Sequence, residues 1–201
     1  DVVRGTIQVP SVTTKQLDGN IGYMRINTFA DDTSNLAQAA ADDFQKHQVK
    51  GIILDLRGNP GGRLDAAVNV SSLWVVAGKL VVEEKGTVGD VRHVATGGNV
   101  LHNITTVVLT NGGSASASEI VAGALHDNDA ATIIGEKSYG KGVVQQLVDF
   151  HDGSQLKVTA ASWYRPNGKN INHHGIAPDQ TVKISDADAA AGGHPAAPPA
   201  A

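Results

Sequence analysis

The order of elements in this 201-residue chain predicts an α/β layer fold with a mostly parallel central sheet. Two observations carry that expectation. Gly51-Ile-Ile-Leu-Asp55 and Thr105-Thr-Val-Val-Leu-Thr110 are nearly continuous apolar runs, the pattern of strands covered on both faces, and each is followed by a turn and a segment with helical spacing. The succession strand, helix, strand, helix, strand, helix, strand then calls for crossovers that return each strand parallel to the one before.

The elements follow in order. Residues 1–20 hold short alternating stretches, Val2 to Val9, then Pro10 and the turn signal Asp18-Gly-Asn20, and read as a strand or two leading in. Ile21–Ile26 is the next strand. Asp31-Asp32-Thr33 can cap a helix over Ser34–His47, where Leu36, Ala40 and Phe44 recur at i+4. After Gly51–Asp55, helical spacing returns in Leu64, Ala67, Val68, Ser71 and Ser72. Residues 79–100 carry Val81-Val82 and then many glycines, a short strand and an exposed excursion. Thr105–Thr110 precedes a helix from about Ser116 to His126, packed through Ile120, Val121, Ala124 and Leu125, and Ala131–Ile134 is a short third strand. Val143–Phe150 and Leu156–Trp163 flank His151-Asp-Gly-Ser-Gln155 as a hairpin. Asp186–Ala201 is Ala, Gly and Pro with little to bury and reads as a disordered tail.

Composition narrows the function classes. A chain of this length supports one principal domain. Hydrophobic residues make up 41% and aromatics only 4%, so Leu, Ile, Val and Ala must fill the core. Sixteen basic against twenty acidic residues, with no basic tract, disfavour nucleic-acid binding. Cysteine is absent, which removes disulfides and thiolate chemistry. No apolar run approaches the roughly 20 residues that cross a bilayer, and the start at Asp1 reads as a trimmed or processed piece of something longer. Asn69-Val-Ser71 and Asn103-Ile-Thr105 match the glycosylation triplet, a pattern common by chance.

Chemistry concentrates in two segments. Asn111-Gly-Gly-Ser-Ala-Ser-Ala-Ser-Glu119 places three serines at a strand-to-helix junction, beyond the carboxyl end of a strand, where open α/β sheets bind ligands. Ser116, at the first turn, sits among unpaired N–H groups able to hold a developing oxyanion. It can equally cap the helix, with Glu119 completing a capping box. Lys141 lies between Gly140 and Gly142, which allow tight backbone approach and let its long side chain turn inward; it can equally be a solvated lysine near a turn. A lysine, with a pKa of about 10.4 in water, acts as a base near neutrality only when burial or a cationic neighbour lowers that value. Gln145 can orient such an amine without recharging it, whereas Glu119 and Glu136 must point away from it. Asp55-Leu-Arg-Gly-Asn-Pro-Gly-Gly62 is either a plain Pro-Gly turn or a nest of N–H groups for an anion or oxyanion. It lacks the endings of a Walker loop or a dinucleotide fingerprint. His173-His174 and His151-Asp152 lie in polar turns without metal-ligand spacing, so no metal is expected, and no paired glycosidase carboxylates can be identified.

Three segments taken in order, Asp55–Gly62, Gly113–Glu119 and Gly140–Gln145, resemble the carboxyl-terminal processing peptidases, also called tail-specific proteases, of peptidase family S41. Ile21–Phe29, Tyr164–Ile171 and Gly175–Asp179 resemble flanking segments of that family, and the likeness covers about residues 5–184. The resemblance implies a Ser-Lys dyad with Ser116 as nucleophile, Lys141 as general base and Gln145 holding the lysine. It implies an oxyanion hole from the backbone N–H of Ala117 and of Gly62, or of Gly61 if the turn is offset. It implies a ClpP/crotonase-like layered core at residues 21–184, a β-hairpin after the lysine, no cofactor or metal, and polypeptide substrates that are unstructured or C-terminal. Family members commonly carry a PDZ domain before this core, and residues 1–20 are expected to be at most its exit. An exported bacterial protein, periplasmic, in the cell envelope or secreted, is the implied setting, with peripheral membrane association and oligomeric state left open. A noncatalytic peptide-binding module and a crotonase-like acyl-CoA enzyme are the rival functions on the same fold.

Overall fold

The structure is a computed structural model and describes residues 10–87 and 89–183. Ten strands and three helices are seen among these residues. In chain order they are β1 (Val12–Leu17), β2 (Ile21–Ile26), α1 (Thr33–Lys46), β3 (Gly51–Asp55), α2 (Leu64–Ser71), β4 (Leu80–Gly86), β5 (Gly89–Val94), β6 (Thr105–Thr110), α3 (Ala117–Asp127), β7 (Thr132–Gly135), β8 (Val143–Asp149), β9 (Gln155–Tyr164) and β10 (Gln180–Thr181). The expected strand at Val2–Val9 and the expected tail at Asp186–Ala201 fall outside the described residues.

The main sheet runs β1-β2-β3-β6-β7-β10. Every neighbouring pair from β2 to β10 is parallel, and β1 alone is antiparallel, so the predicted α/β layering with a mostly parallel sheet is observed. The sheet reaches back before Ile21: Val12 to Leu17 pair residue by residue with Ile26 to Ile21. Helix α1 packs on β1 and β2, α3 on β7, and both α2 and α3 also touch β4.

Burial departs from the reading of strands covered on both faces. β3 fits it, but β6 alternates between buried and more exposed positions, as β2 also does, because the sheet's second face is only partly covered. The helix stripes are nearer expectation. In α3, Ile120, Val121, Ala124 and Leu125 are all buried. In α1 the buried face is Thr33, Ala37, Ala40, Ala41 and Phe44, which leaves Leu36 at its margin.

Three further differences have physical causes. Asp32 precedes α1 in a helical conformation without a side-chain cap; its carboxylate instead accepts the Ser11 N–H at 3.3 Å, tying the helix start to the segment before β1. The excursion at 79–100 holds a second strand, β5, that pairs antiparallel with β4. Those two join the predicted hairpin β8–β9 in a second sheet ordered β5-β4-β9-β8, with β8 at its edge. No helix among the described residues is long and apolar enough to cross a membrane.

Candidate active site

Two strand-to-helix loops are fastened together by polar side chains, one after β3 and one after β6. Asn111 Oδ1 accepts the N–H groups of Gly58 and Gly113 at 2.8 and 3.0 Å. The Ser114 hydroxyl donates to the Leu56 carbonyl at 2.8 Å, and the Ser118 hydroxyl donates to the Asn59 carbonyl at 3.0 Å. Both serines are fully buried. The three alternating serines therefore divide by role: the outer two stitch the loops, while the half-buried Ser116 hydroxyl donates to no group among the described residues.

Ser116 does form the capping box the sequence allows. The Glu119 carboxylate accepts its N–H at 2.9 Å, and the Ser116 side chain faces the Glu119 N–H. An oxygen that accepts a hydrogen bond still has its own proton to give, so capping and nucleophilic roles are compatible. The Ser116 backbone is strained, with φ 54° and ψ −116°, a region that side chains with a Cβ avoid. Ser116→Gly should therefore unfold later than Ser116→Ala, by about 1 kcal/mol, when thermal melts are compared.

The glycine-rich loop approaches the same residue. Asp55 begins it, fully buried and held by Arg57 Nη2 at 2.6 Å and the Tyr23 hydroxyl at 2.8 Å. Burial pushes that carboxyl upward, but the bonds from Arg57 and Tyr23 outweigh it and hold the group below the usual carboxylate range. The Asn59 side chain accepts the Gly61 N–H at 2.9 Å and donates to the Ile26 carbonyl at 2.8 Å, closing an Asx turn ahead of the two glycines. A Cβ on Gly61 would lie 2.7 Å from the Cβ of Ser116, so only glycine lets the loops touch there. With its N–H spent on Asn59, Gly61 cannot supply the second donor. The Gly62 N–H has no partner among the described residues, nor does that of Ala117, the first residue of α3.

Lys141 is fixed through its main chain. Its N–H donates to Glu119 Oε2 at 2.9 Å, and its carbonyl accepts from the Trp163 indole at 3.0 Å. The flanking glycines permit the predicted close approach: a Cβ on Gly140 would lie 2.7 Å from the Gly175 nitrogen, and one on Gly142 would lie 2.6 Å from the Asn172 nitrogen. No carboxylate among the described residues pairs with the Lys141 amine, so Glu119 and Glu136 keep clear of it.

Glu119 is more than a cap. It is completely buried and accepts four donors: the Ser138 hydroxyl at 2.5 Å, the Gly140 N–H at 2.7 Å, and the N–H groups of Lys141 and Ser116 at 2.9 Å each. One carboxylate thus joins the segment of Ser116 to that of Lys141. Sequence reasoning placed Glu119 only as a cap or a threat to the base, and it missed Asn59, Asn111 and Trp163. The Asn-Pro-Gly-Gly turn was the one available signal for Asn59; nothing local marks the others.

Ser116, Ala117, Gly62, Lys141 and Gln145 line one cleft of about 290 Å³, whose remaining walls are Leu64, Ile120, Val143, Val144, Lys157 and Trp163. A register shift between Val144 and Gln145 marks a bulge, a device that re-aims side chains, and consecutive residues of β8 there face the cleft. No hydrogen bond joins the Lys141 amine to Ser116 or to Gln145 in this arrangement.

The sequence profile of peptidase family S41 matches residues 20–182. A carboxy-terminal-processing protease of Bartonella bacilliformis is 42% identical over 187 residues, covering 90% of this chain and 43% of its own length. Carboxy-terminal processing protease CtpA of Bacillus subtilis is 37% identical over 185 residues, covering 92% of this chain and 40% of its own. The solved structure of a photosystem II D1 C-terminal processing protease superposes with a TM-score of 0.80 at 36% identity, over 90% of this chain and 50% of that one. The chain thus spans about half or less of the length of these relatives. A profile match across most of the residues, together with relatives at this identity, places the chain in peptidase family S41.

Proposed function

We propose that this chain is the catalytic core of a serine-type endopeptidase acting through a Ser-Lys dyad. The observation that carries the reading is the division among the three serines: two are consumed by loop contacts, and the third lies undonated in one cleft with Lys141. The neutral amine of Lys141 takes the Ser116 proton, and the freed oxygen attacks a peptide carbonyl. The N–H groups of Ala117 and Gly62 hold the tetrahedral oxyanion. Collapse passes the proton to the leaving amine and leaves an acyl-enzyme, which water activated by the same lysine hydrolyses. Gln145 orients the amine without a negative charge that would keep it protonated. Leu64, Ile120, Val144 and Trp163 keep the surroundings apolar, where such interactions are stronger than in water.

An extended chain is the substrate form this site suits. β8 is an edge strand with no strand partner on its outer side among the described residues, and its first residues line the cleft, so an unstructured peptide can pair along it. Unfolded or C-terminal segments fit that requirement, and the names of the relatives agree with it. Digestion of an unfolded protein by wild type and by Ser116→Ala, with fragments mapped by mass spectrometry, tests the reading. New amino termini are expected from wild type alone. Peptide binding without new termini would favour a noncatalytic module, and termini produced equally by the variant would overturn the assignment of the nucleophile.

A further inference from the structure

The cleft contains a second amine. Lys157, on β9, lines it together with Lys141, and no acidic residue lines it among the described residues. Lys157 is exposed, and no carboxylate among the described residues pairs with it. Its placement follows from the hairpin register. Lys157 stands opposite Leu147, while Thr159 stands opposite Gln145. Residues two apart on a strand share a face, so Lys157 and Gln145 lie on the same side of the hairpin. The other side carries Val148, Leu156 and Val158, all exposed. Apart from Lys141, the proposed base, Lys157 is the one cation among the described lining residues of a cleft otherwise built from apolar side chains, a serine, an amide and backbone.

We propose that Lys157 reads a carboxylate of the substrate, so that the cleft favours peptides with negative charge two or three residues from the scissile bond. The inference rests on the peptidase reading above. The distance comes from strand geometry: from the Gln145–Thr159 pair to the Leu147–Lys157 pair the hairpin advances two residues, about 7 Å, the same advance as two residues of an extended peptide lying along the edge of β8, across which the Lys157 side chain must reach. The carboxylate can be the free C-terminus or an Asp or Glu side chain. Charge-assisted pairing at an exposed lysine favours such a ligand over its neutral counterpart by roughly threefold.

Three internally quenched peptides of one sequence test this. One ends as the free acid two residues beyond the scissile bond, one is amidated there, and one is amidated with Asp at that position. Wild type should show a kcat/KM for the free acid about threefold above the plain amide. Lys157→Gln should bring that ratio to about one, and Lys157→Glu should invert it. An advantage for the Asp peptide as well would mean that any nearby carboxylate is read; an advantage for the free acid alone would assign the reading to the chain terminus. A wild-type ratio of one, or a preference that survives Lys157→Glu, overturns the proposal. Cleavage of the plain amide that disappears in Ser116→Ala keeps the peptidase reading standing in that event. Fluorescence polarisation of the same peptides on Ser116→Ala supplies the ratio as affinities without turnover. Equal affinity for acid and amide there overturns the role of Lys157 even if no peptide is cleaved.

Discussion

Lys141→Ala is expected to lower kcat for peptide cleavage by about a thousandfold or more while leaving the unfolding midpoint nearly unchanged. Removal of a positioned general base typically costs 10²–10⁴-fold, and groups that act as a unit with a nucleophile fall toward the upper end. The fold should tolerate the change because the contacts that fix this residue belong to its main chain. The N–H to Glu119 and the carbonyl to Trp163 remain in an alanine variant, and the flanking glycines still fit against the segment around Asn172 and Gly175. Ser116→Ala should lose activity to a similar extent for the complementary reason. Single-turnover kinetics beside urea unfolding would check both. Activity within tenfold of wild type in Lys141→Ala would remove that residue from the reaction.

Glu119→Gln should damage both stability and turnover. The carboxylate accepts four donors with two oxygens, and an amide nitrogen in place of either oxygen would face two of those donors with protons of its own. Because the group is fully buried, water cannot compensate, and a loss of about 3 kcal/mol or more is expected. Of a typical total of about 5–15 kcal/mol, that is a large fraction. The catalytic effect separates a positioning role from a merely structural one. With the Ser116 and Lys141 segments no longer tied together, kcat should fall more than KM rises at a temperature where the variant remains folded. A variant that is destabilised but keeps its kcat would show that the tie serves the fold alone.

The sequence made much of this molecule legible, and the illegible parts share a cause. Apolar runs located β3 and β6, i+4 spacing located the helices, and turn residues located the β8–β9 hairpin, because each of these signals is local. β5 was hidden because Gly-Asp-Val-Arg-His-Val has no continuous apolar face, and all but His93 of its residues are exposed. β10 escaped because two residues, Gln180 and Thr181, carry no periodicity. At the site, the motif singled out Ser116, Lys141, Gln145, Gly62 and Ala117 as candidates, and all five line one cleft. It could not tell Gly61 from Gly62, since that depends on which N–H the Asn59 side chain captures. Nor could it reveal Glu119 as the link, because a carboxylate in sequence does not state which donors will meet it.

The clasp on the lysine-bearing loop also sets when the proposed site can be assembled. The Ser138 hydroxyl receives the Ile176 N–H at 2.7 Å, the Gly140 carbonyl receives that of His173 at 2.8 Å, and Asn172 binds the Gly142 N–H at 3.2 Å. Ser116 and Lys141 both precede these partners in the chain, yet the loop that carries Lys141 lacks its scaffold until the last of them has been made and folded. A nascent polypeptide that has emerged only as far as β9 would hold both residues without the frame that fixes their segments. On the proposed function, a chain cut short before Asn172 would carry Ser116 and Lys141 yet cleave nothing, which a truncation after Tyr164 assayed beside the full chain would check.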